Sequence, residues 1–395
     1  MKYNHSFSPA DILLPKSDFE SWATIACDQY TSEPEYWEEA KKAAGDKPSA
    51  LNIVLPEVYL SADNSARIDA INQNMQSYID GNIFNNFSDA IIYVERIQSD
   101  GKCRRGIVGK IDLESYDYRA GSNAEIRATE QTVLSRIPPR VEIRKNAPLE
   151  LPHVMLLFDD IKDTVFSYLD SNKTKFEKLY DFKLMCNAGS IKGYLLDDAA
   201  KKFVLEQFES LKEQNDGFLF CVGDGNHSLA TAKECYNLNK TEASRYALTE
   251  IVNIHDTALQ FEPIYRVVFG INPEELLDEL VKTLGEGTQK FTCVYGDTVK
   301  EIGVNPTAKL AVGTLQAFLD EYVKNHPEAE IDYIHGEDSL KKLASRPNAI
   351  GFIFDGMQKS ELFEAVNADG SLPRKTFSMG HADDKRFYIE ARKIK

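Results

Sequence analysis

Residues 217–235 read Gly-Phe-Leu-Phe-Cys-Val-Gly-Asp-Gly-Asn-His-Ser-Leu-Ala-Thr-Ala-Lys-Glu-Cys, and they constrain the fold more than any other stretch. The apolar run Phe218 to Val222 suits a buried strand. Gly223-Asp224-Gly225-Asn226 suits a tight turn. Leu229 to Cys235 favours a helix. The pattern therefore predicts a strand, a turn and a helix in immediate succession. Asp224, Asn226, His227 and Ser228 then stand where free backbone N–H groups gather and the helix dipole favours an anion. The glycines let backbone approach a ligand closely. The same residues allow a plainer assignment: Asp224 or Asn226 can cap the helix, and His227 can be a satisfied polar residue. A Walker-type lysine is missing from the turn.

Elsewhere the elements mix. Residues 1 to about 60 carry scattered prolines and look irregular, with a short helix expected near Pro34, capped by Thr31 or Ser32. Asp63 to Ile79 has helical spacing. Ala90 to Ile97 and Cys103 to Leu113 read as a hairpin about Asp100-Gly101. Ala124 to Leu134 reads as helix and Leu151 to Phe158 as strand. Asp197 to Gln214 is an amphipathic helix. Within Leu248 to Phe269 the second part, Leu259 to Phe269, reads as a strand pair kinked at Pro263; Pro273 to Leu284 reads as helix and Ala349 to Phe354 as buried strand. Helices and strands interleave without regular β-α-β alternation, so the fold class is α+β (mixed α/β) and a doubly wound sheet is not implied. The expected regions are 1–120, 121–285 with the turn, and 286–395.

The net charge of −16 opposes a large nucleic-acid footprint. It leaves room for a local basic pocket for a phosphorylated small molecule. Arg104, Arg105 and Lys110 form one basic cluster; Arg136, Arg140, Arg144 and Lys145 form another; each can equally be a solvated face. The six cysteines fit no zinc spacing, and free thiols suit a reducing cytoplasm. Met1 to His5 leads into no apolar signal segment, and the apolar runs are too short to cross a bilayer.

At Gly223 to Ser228 the chain resembles the domain-of-unknown-function 1015 family, which carries an Asp-Gly-His-His-Arg type box on a strand-turn-helix. Ala26 to Trp37, Ile126 to Glu130, His255 to Val268 and Leu372 to Ala382 resemble further boxes of that family in the right order. The Asp-Gly-His-His-Arg box is also similar to the phosphate-handling box of the ParB/sulfiredoxin-like superfamily, to which free-serine kinases and partition proteins belong. The resemblance implies a ParB/sulfiredoxin-like core around 217–235, with Gly223, Gly225, Asn226 and Ser228 cradling phosphate. Here Asn226 stands for the first His and Ser228 for the Arg. A hydroxyl cannot replace a bidentate guanidinium, so another cation is needed, and Arg127, Arg266, Arg374 and Lys375 are the candidates.

Phosphoryl transfer needs cations on the phosphate oxygens, a carboxylate to accept the alcohol proton and usually Mg²⁺. Asp224 or Glu130 can hold the metal or act as base, and His227 can donate to phosphate or act as acid-base near neutrality. Asp28 is a further carboxylate, with a cap or turn as its plainer role. As the plainer alternative, Arg127 and Glu130 form a helical ion pair and nothing more. Arg266, on an apolar strand, needs an anionic partner if buried, a ligand or Asp256. His255-Asp256 is a metal pair or a turn. Arg374-Lys375 is an exposed basic segment or a strap over the active site. Cys221 reads as core. Together these features favour a phosphotransfer enzyme acting on a small hydroxylated or phosphorylated metabolite. The resemblance implies serine or phosphoserine, with a nucleotide and Mg²⁺ as helpers. The alternative is a non-catalytic, ParB-like nucleotide- or metabolite-binding regulator, which would need a basic helix-turn-helix that the sequence lacks.

Overall fold

The computed structural model describes residues 5–60 and 63–395. Met1 to Asn4, part of the segment read above for a signal, lie outside the described residues. The chain forms two compact units, one of residues 1–128, 132–259 and 381–395, the other of 129–131 and 260–380. The boundary expected near 120 falls inside the first unit and that near 285 inside the second. Both units mix sheet and helix, as the interleaved patterns predict.

In the first unit a ten-stranded mixed sheet runs in the order Glu177–Lys183, Ser190–Leu195, Ile92–Ile97, Cys103–Asp112, Tyr246–Asn253, Met155–Phe158, Phe220–Asp224, Ile126–Ala128 and Tyr116–Asp117, with Phe7–Ser8 added beside Cys103–Asp112. The expected hairpin is present, Ile97 opposite Cys103 in antiparallel register. Phe220–Asp224 lies antiparallel to Met155–Phe158 and parallel to Ile126–Ala128. Its residues Phe220, Cys221 and Val222 are buried, as a central strand requires. The helix Asp198–Gln214 is capped by Asp197, whose side chain accepts from the Ala200 N–H, and it buries Val204 and Phe208 in the same core.

Three expectations are corrected here. Ala124 to Leu134 is not helical: Ile126–Ala128 is a strand. Ile126, Arg127, Ala128 and Thr129 are all buried in succession, a pattern that a one-sided helix cannot satisfy but a strand inside a sheet can. The Arg127–Glu130 helical pair therefore does not form. The N-terminal region is not irregular: Ala10–Pro15 pairs with Phe84–Ala90, and Thr24–Ile25 with Phe387–Tyr388. Prolines sit at strand or helix ends, where the missing N–H costs nothing. The helix Pro34–Ala44 has Glu33 as its N-cap residue with no side-chain cap, so neither Thr31 nor Ser32 serves.

The second unit is built on a six-stranded sheet in the order Thr298–Val304, Glu286–Tyr295, Ala349–Ile353, Phe261–Phe269 and Glu330–His335, with Phe377–Met379 paired to the start of Phe261–Phe269. Helices Pro273–Leu284 and Ala311–Asn325 bury Leu276, Leu280, Leu315 and Leu319. Among the described residues, no helix is long and apolar enough to cross a membrane.

Candidate functional site

The strand Phe220–Asp224 ends against its neighbour at close quarters. A Cβ on Gly223 would lie 2.8 Å from the Leu157 side chain. Gly225 has φ 81°, and a Cβ there would lie 3.0 Å from the Val154 Cα. Only glycine adopts that backbone without strain. The helix then begins at once and spans Asn226–Leu238, three residues earlier than its apolar pattern suggests. Gly225 is its N-cap residue and supplies no side-chain cap. Capping by Asp224 or Asn226 is thereby overturned. The Asp224 Oδ1 instead accepts from the N–H of Gly225 at 2.9 Å. The Asn226 Oδ1 is buried and has no hydrogen-bond partner. The first N–H groups of the helix have no acceptor within it.

Cations reach this turn from two directions. Lys385 Nζ is 3.3 Å from the Asp224 Oδ2. The flanks of Lys385 are pinned: Asp384 accepts at its carbonyl from the Arg104 Nη1 at 2.8 Å and at its carboxylate from the Ser99 N–H at 2.9 Å. On the other side Arg386 is buried, with Nε 2.8 Å from Glu250 and Nη2 donating to Glu390 at 2.8 Å. Arg140 and Arg136, from the expected basic cluster, lie near enough to His227 to influence its charge. Burial first, then these two guanidiniums, pull the His227 imidazole down from 6.5 to about 4. The ring is therefore neutral at physiological pH. Its Nε2 accepts from the Val133 N–H at 3.3 Å, which places the remaining proton on Nδ1. The expectation of acid-base exchange near neutrality is corrected: the environment holds His227 as a neutral donor.

Ser228 faces something the sequence did not suggest. Its Oγ is 2.8 Å from the His153 Nε2, and the His153 Nδ1 is 3.0 Å from the Tyr388 hydroxyl. Asp28 lies 4.0 Å from the same Nε2. No motif marked His153 or Tyr388, because one precedes a strand and the other lies 235 positions further on. Lys385 was visible only as one of several basic residues near the C-terminus.

The other expected site residues lie elsewhere. Arg127 is buried on its strand, with Nε donating to the Ala124 carbonyl at 2.8 Å and the guanidinium 4.0 Å from the Phe218 ring centroid. Glu130, Arg266, Arg374 and Lys375 come together in the second unit. Glu130 accepts from the N–H groups of Lys375 and Thr376, each at 3.1 Å. Arg266 donates to the Gln316 Oε1 and the Ile264 carbonyl, both at 2.6 Å, and to the carbonyls of Lys375 and Arg374 at 3.1 and 3.2 Å. Protein acceptors thus take the place of the anion expected for it, and burial lowers its pKa to about 10. Arg374 donates to the Tyr333 hydroxyl at 2.7 Å.

Of the remaining pairs, His255 meets Asp159 at 2.6 Å, while Asp256 accepts from the Ala258 N–H as a turn residue. Arg105 is held by Asp163 at 3.0 Å, Asp170 at 3.0 Å and Asp256 at 3.4 Å, and Arg104 lies 3.6 Å from Glu250. Cys221 is core, as expected. Among the described residues, no group of three or more His, Cys, Asp or Glu is placed to hold a metal ion.

A free serine kinase in complex with AMP aligns with 72% of this chain and 91% of its own, at 13% identity and a TM-score of 0.42. SbnI with a C-terminal truncation, from Staphylococcus aureus, aligns with 71% of this chain and 82% of its own at 11% identity and a TM-score of 0.37. A conserved hypothetical protein from Pyrococcus furiosus aligns with 69% and 89% at 14% identity and a TM-score of 0.37. Similarity at this level bears on neither ligand nor reaction. No curated protein matches the chain significantly. The model of the family described as protein of unknown function (DUF1015) matches residues 8–393, and with nearly its whole length so matched the chain belongs to the DUF1015 family.

Proposed function

We propose that the turn Gly223–Ser228 binds a phosphoryl group and that the protein is a phosphotransfer enzyme for a small hydroxylated metabolite. One observation carries this reading. A 13-residue helix starts at the turn with a glycine N-cap and no side-chain cap, and a lysine stands 3.3 Å from the adjoining aspartate. Uncapped N–H groups and a neighbouring ammonium together suit phosphate oxygens. Gly223 and Gly225 allow the close approach. Asn226 and His227 add side-chain donors, and Ser228 contributes its N–H while its hydroxyl is engaged by His153.

In the transfer, Asp224 accepts the hydroxyl proton as the new O–P bond forms and the bond to the leaving phosphate oxygen breaks. Lys385 and the helix N–H groups balance charge on the transferred group. Neutral His227 can donate from Nδ1 without adding a charge. A ParB/sulfiredoxin-like core for 217–235 belongs to the same reading. Serine or phosphoserine is the proposed metabolite and a nucleotide the proposed phosphate partner. Mg²⁺ usually keeps several waters and takes one or two carboxylates plus substrate phosphates, and Asp224 can serve as such a carboxylate. No reacting part falls to Glu130, Arg266, Arg374 or Lys375, whose contacts hold a segment of the second unit.

The test is a thermal-shift screen with ATP, ADP, pyrophosphate, serine and phosphoserine, with and without Mg²⁺, followed by a serine-phosphorylation assay. A ligand that binds the native state raises the melting temperature by mass action. A shift with turnover supports the enzyme, and a shift without turnover supports the regulator. No shift at millimolar ligand rejects the phosphoryl site.

A further inference from the structure

Ser228, His153 and Tyr388 line one cavity of about 160 Å³ in the first unit. Its wall is largely apolar, with Ile53, Leu55, Met75, Leu151 and Leu229 among the lining residues. Asp224, Asn226 and His227 are not part of that lining. The Ser228 Oγ lies 2.8 Å from the His153 Nε2. The His153 Nδ1 lies 3.0 Å from the Tyr388 hydroxyl, whose oxygen also accepts from the Cys27 N–H at 3.1 Å. With the His153 proton on Nδ1, donated to the Tyr388 oxygen, the Nε2 lone pair is free to take the Ser228 O–H. A serine at the start of a helix, bonded to a histidine that a third group orients, is the arrangement of an activated nucleophile.

We infer that Ser228 is a nucleophile activated by His153, and that the cavity takes the acyl group of a small carboxylic ester. Ser228 Oγ attacks the carbonyl carbon and its proton passes to the His153 Nε2. The Ser228 N–H, in the first turn of the helix and without an acceptor inside it, is the donor available to the oxyanion. The carbon–oxygen bond to the alcohol breaks, His153 returns the proton to the departing alkoxide, and an acyl-serine remains. Water then attacks with the proton again relayed by His153, releasing the acid and restoring Ser228. Asp28, 4.0 Å from Nε2, opposes the positive charge that develops on the ring. An apolar cavity of roughly 150 Å³ holds a benzene-sized group, so acyl groups of about six carbons should fit best.

The experiment is labelling with a fluorophosphonate, mapped by peptide mass spectrometry, together with hydrolysis of p-nitrophenyl esters from acetate to decanoate. Neither measurement involves a nucleotide or phosphate monoester, so its result stands whether or not the phosphoryl reading holds. Expected is modification of Ser228, slowed roughly a hundredfold or more in His153→Gln, the usual scale for a general base. Ester hydrolysis should peak near hexanoate. Should Ser228→Ala prove poorly folded, Ser228→Cys provides the second route: the new thiol should react with iodoacetamide faster than the six natural cysteines. Absence of label on Ser228 in folded protein, or equal rates in His153→Gln and wild type, overturns the inference.

Discussion

Replacing His227 by Asn should change how the stability of the first unit depends on pH. In the folded protein the imidazole is pulled down from its ordinary 6.5 to about 4, by burial and then by Arg140 and Arg136. At neutral pH the ring is uncharged in both folded and unfolded chains. As the pH falls below 6.5 the unfolded chain takes up a proton first. Stability is therefore lost progressively between about 6.5 and 4, and the loss is complete below the folded value. That interval corresponds to about 3.5 kcal/mol, at about 1.4 kcal/mol per pH unit. The ring keeps substantial contact with solvent, and screening reduces the effect to roughly 1–2 kcal/mol. Urea denaturation at about pH 7 and about pH 4.5 reads it directly, because both tryptophans, Trp22 and Trp37, are buried in the first unit. His227→Asn should lose less stability on acidification than wild type by that amount. Selective ¹³C-histidine NMR should show one ring titrating near 4. Parallel acid losses in the two proteins, together with a His227 midpoint near 6.5, would refute the argument.

Gly225→Val forces a branched side chain to φ 81° against the Val154 Cα; calorimetry should show a loss of roughly 1–3 kcal/mol. Lys385→Met should weaken pyrophosphate binding about tenfold or more, the scale of a hydrogen bond to a charged group, while Lys385→Arg retains most of it, both by isothermal titration. Arg386→Met strands Glu250 and Glu390 in the interior and should cost about 3–5 kcal/mol. Adding Glu250→Gln and Glu390→Gln should restore part of that loss, and urea denaturation would expose a failure of either expectation. Arg266→Lys cannot reach Gln316 and three carbonyls at once, so limited proteolysis of the second unit should accelerate severalfold; unchanged cleavage would contradict the assigned contacts.

Local order decided much of the fold. The run Phe218 to Val222 and the glycines after it specified a strand and a turn, because apolar runs need burial and a positive φ needs glycine. The amphipathic spacing of Val204, Phe208 and Leu211 specified one helix in the same way, and Pro273 stands at the start of another. Ala124 to Leu134 escaped such reasoning. Its composition tolerates helix, and only the vacancy between Phe220–Asp224 and Tyr116–Asp117 makes Ile126–Ala128 a strand.

The turn itself was legible, since Gly-Asp-Gly-Asn-His-Ser combines backbone freedom with polar chemistry over six adjacent positions. What surrounds it was not. Lys385 reaches Asp224 across 161 positions, and His153 meets both Ser228 and Tyr388 only after strands from distant parts of the chain have paired. Sequence spacing carries information about neighbours along a helix or strand, where the period is set by backbone geometry. Side chains brought together by sheet pairing and core packing share no such period. Residue types and local backbone were therefore written in the chain, whereas the direction each group faces, the charge beside it and the tautomer it holds were decided by tertiary structure alone.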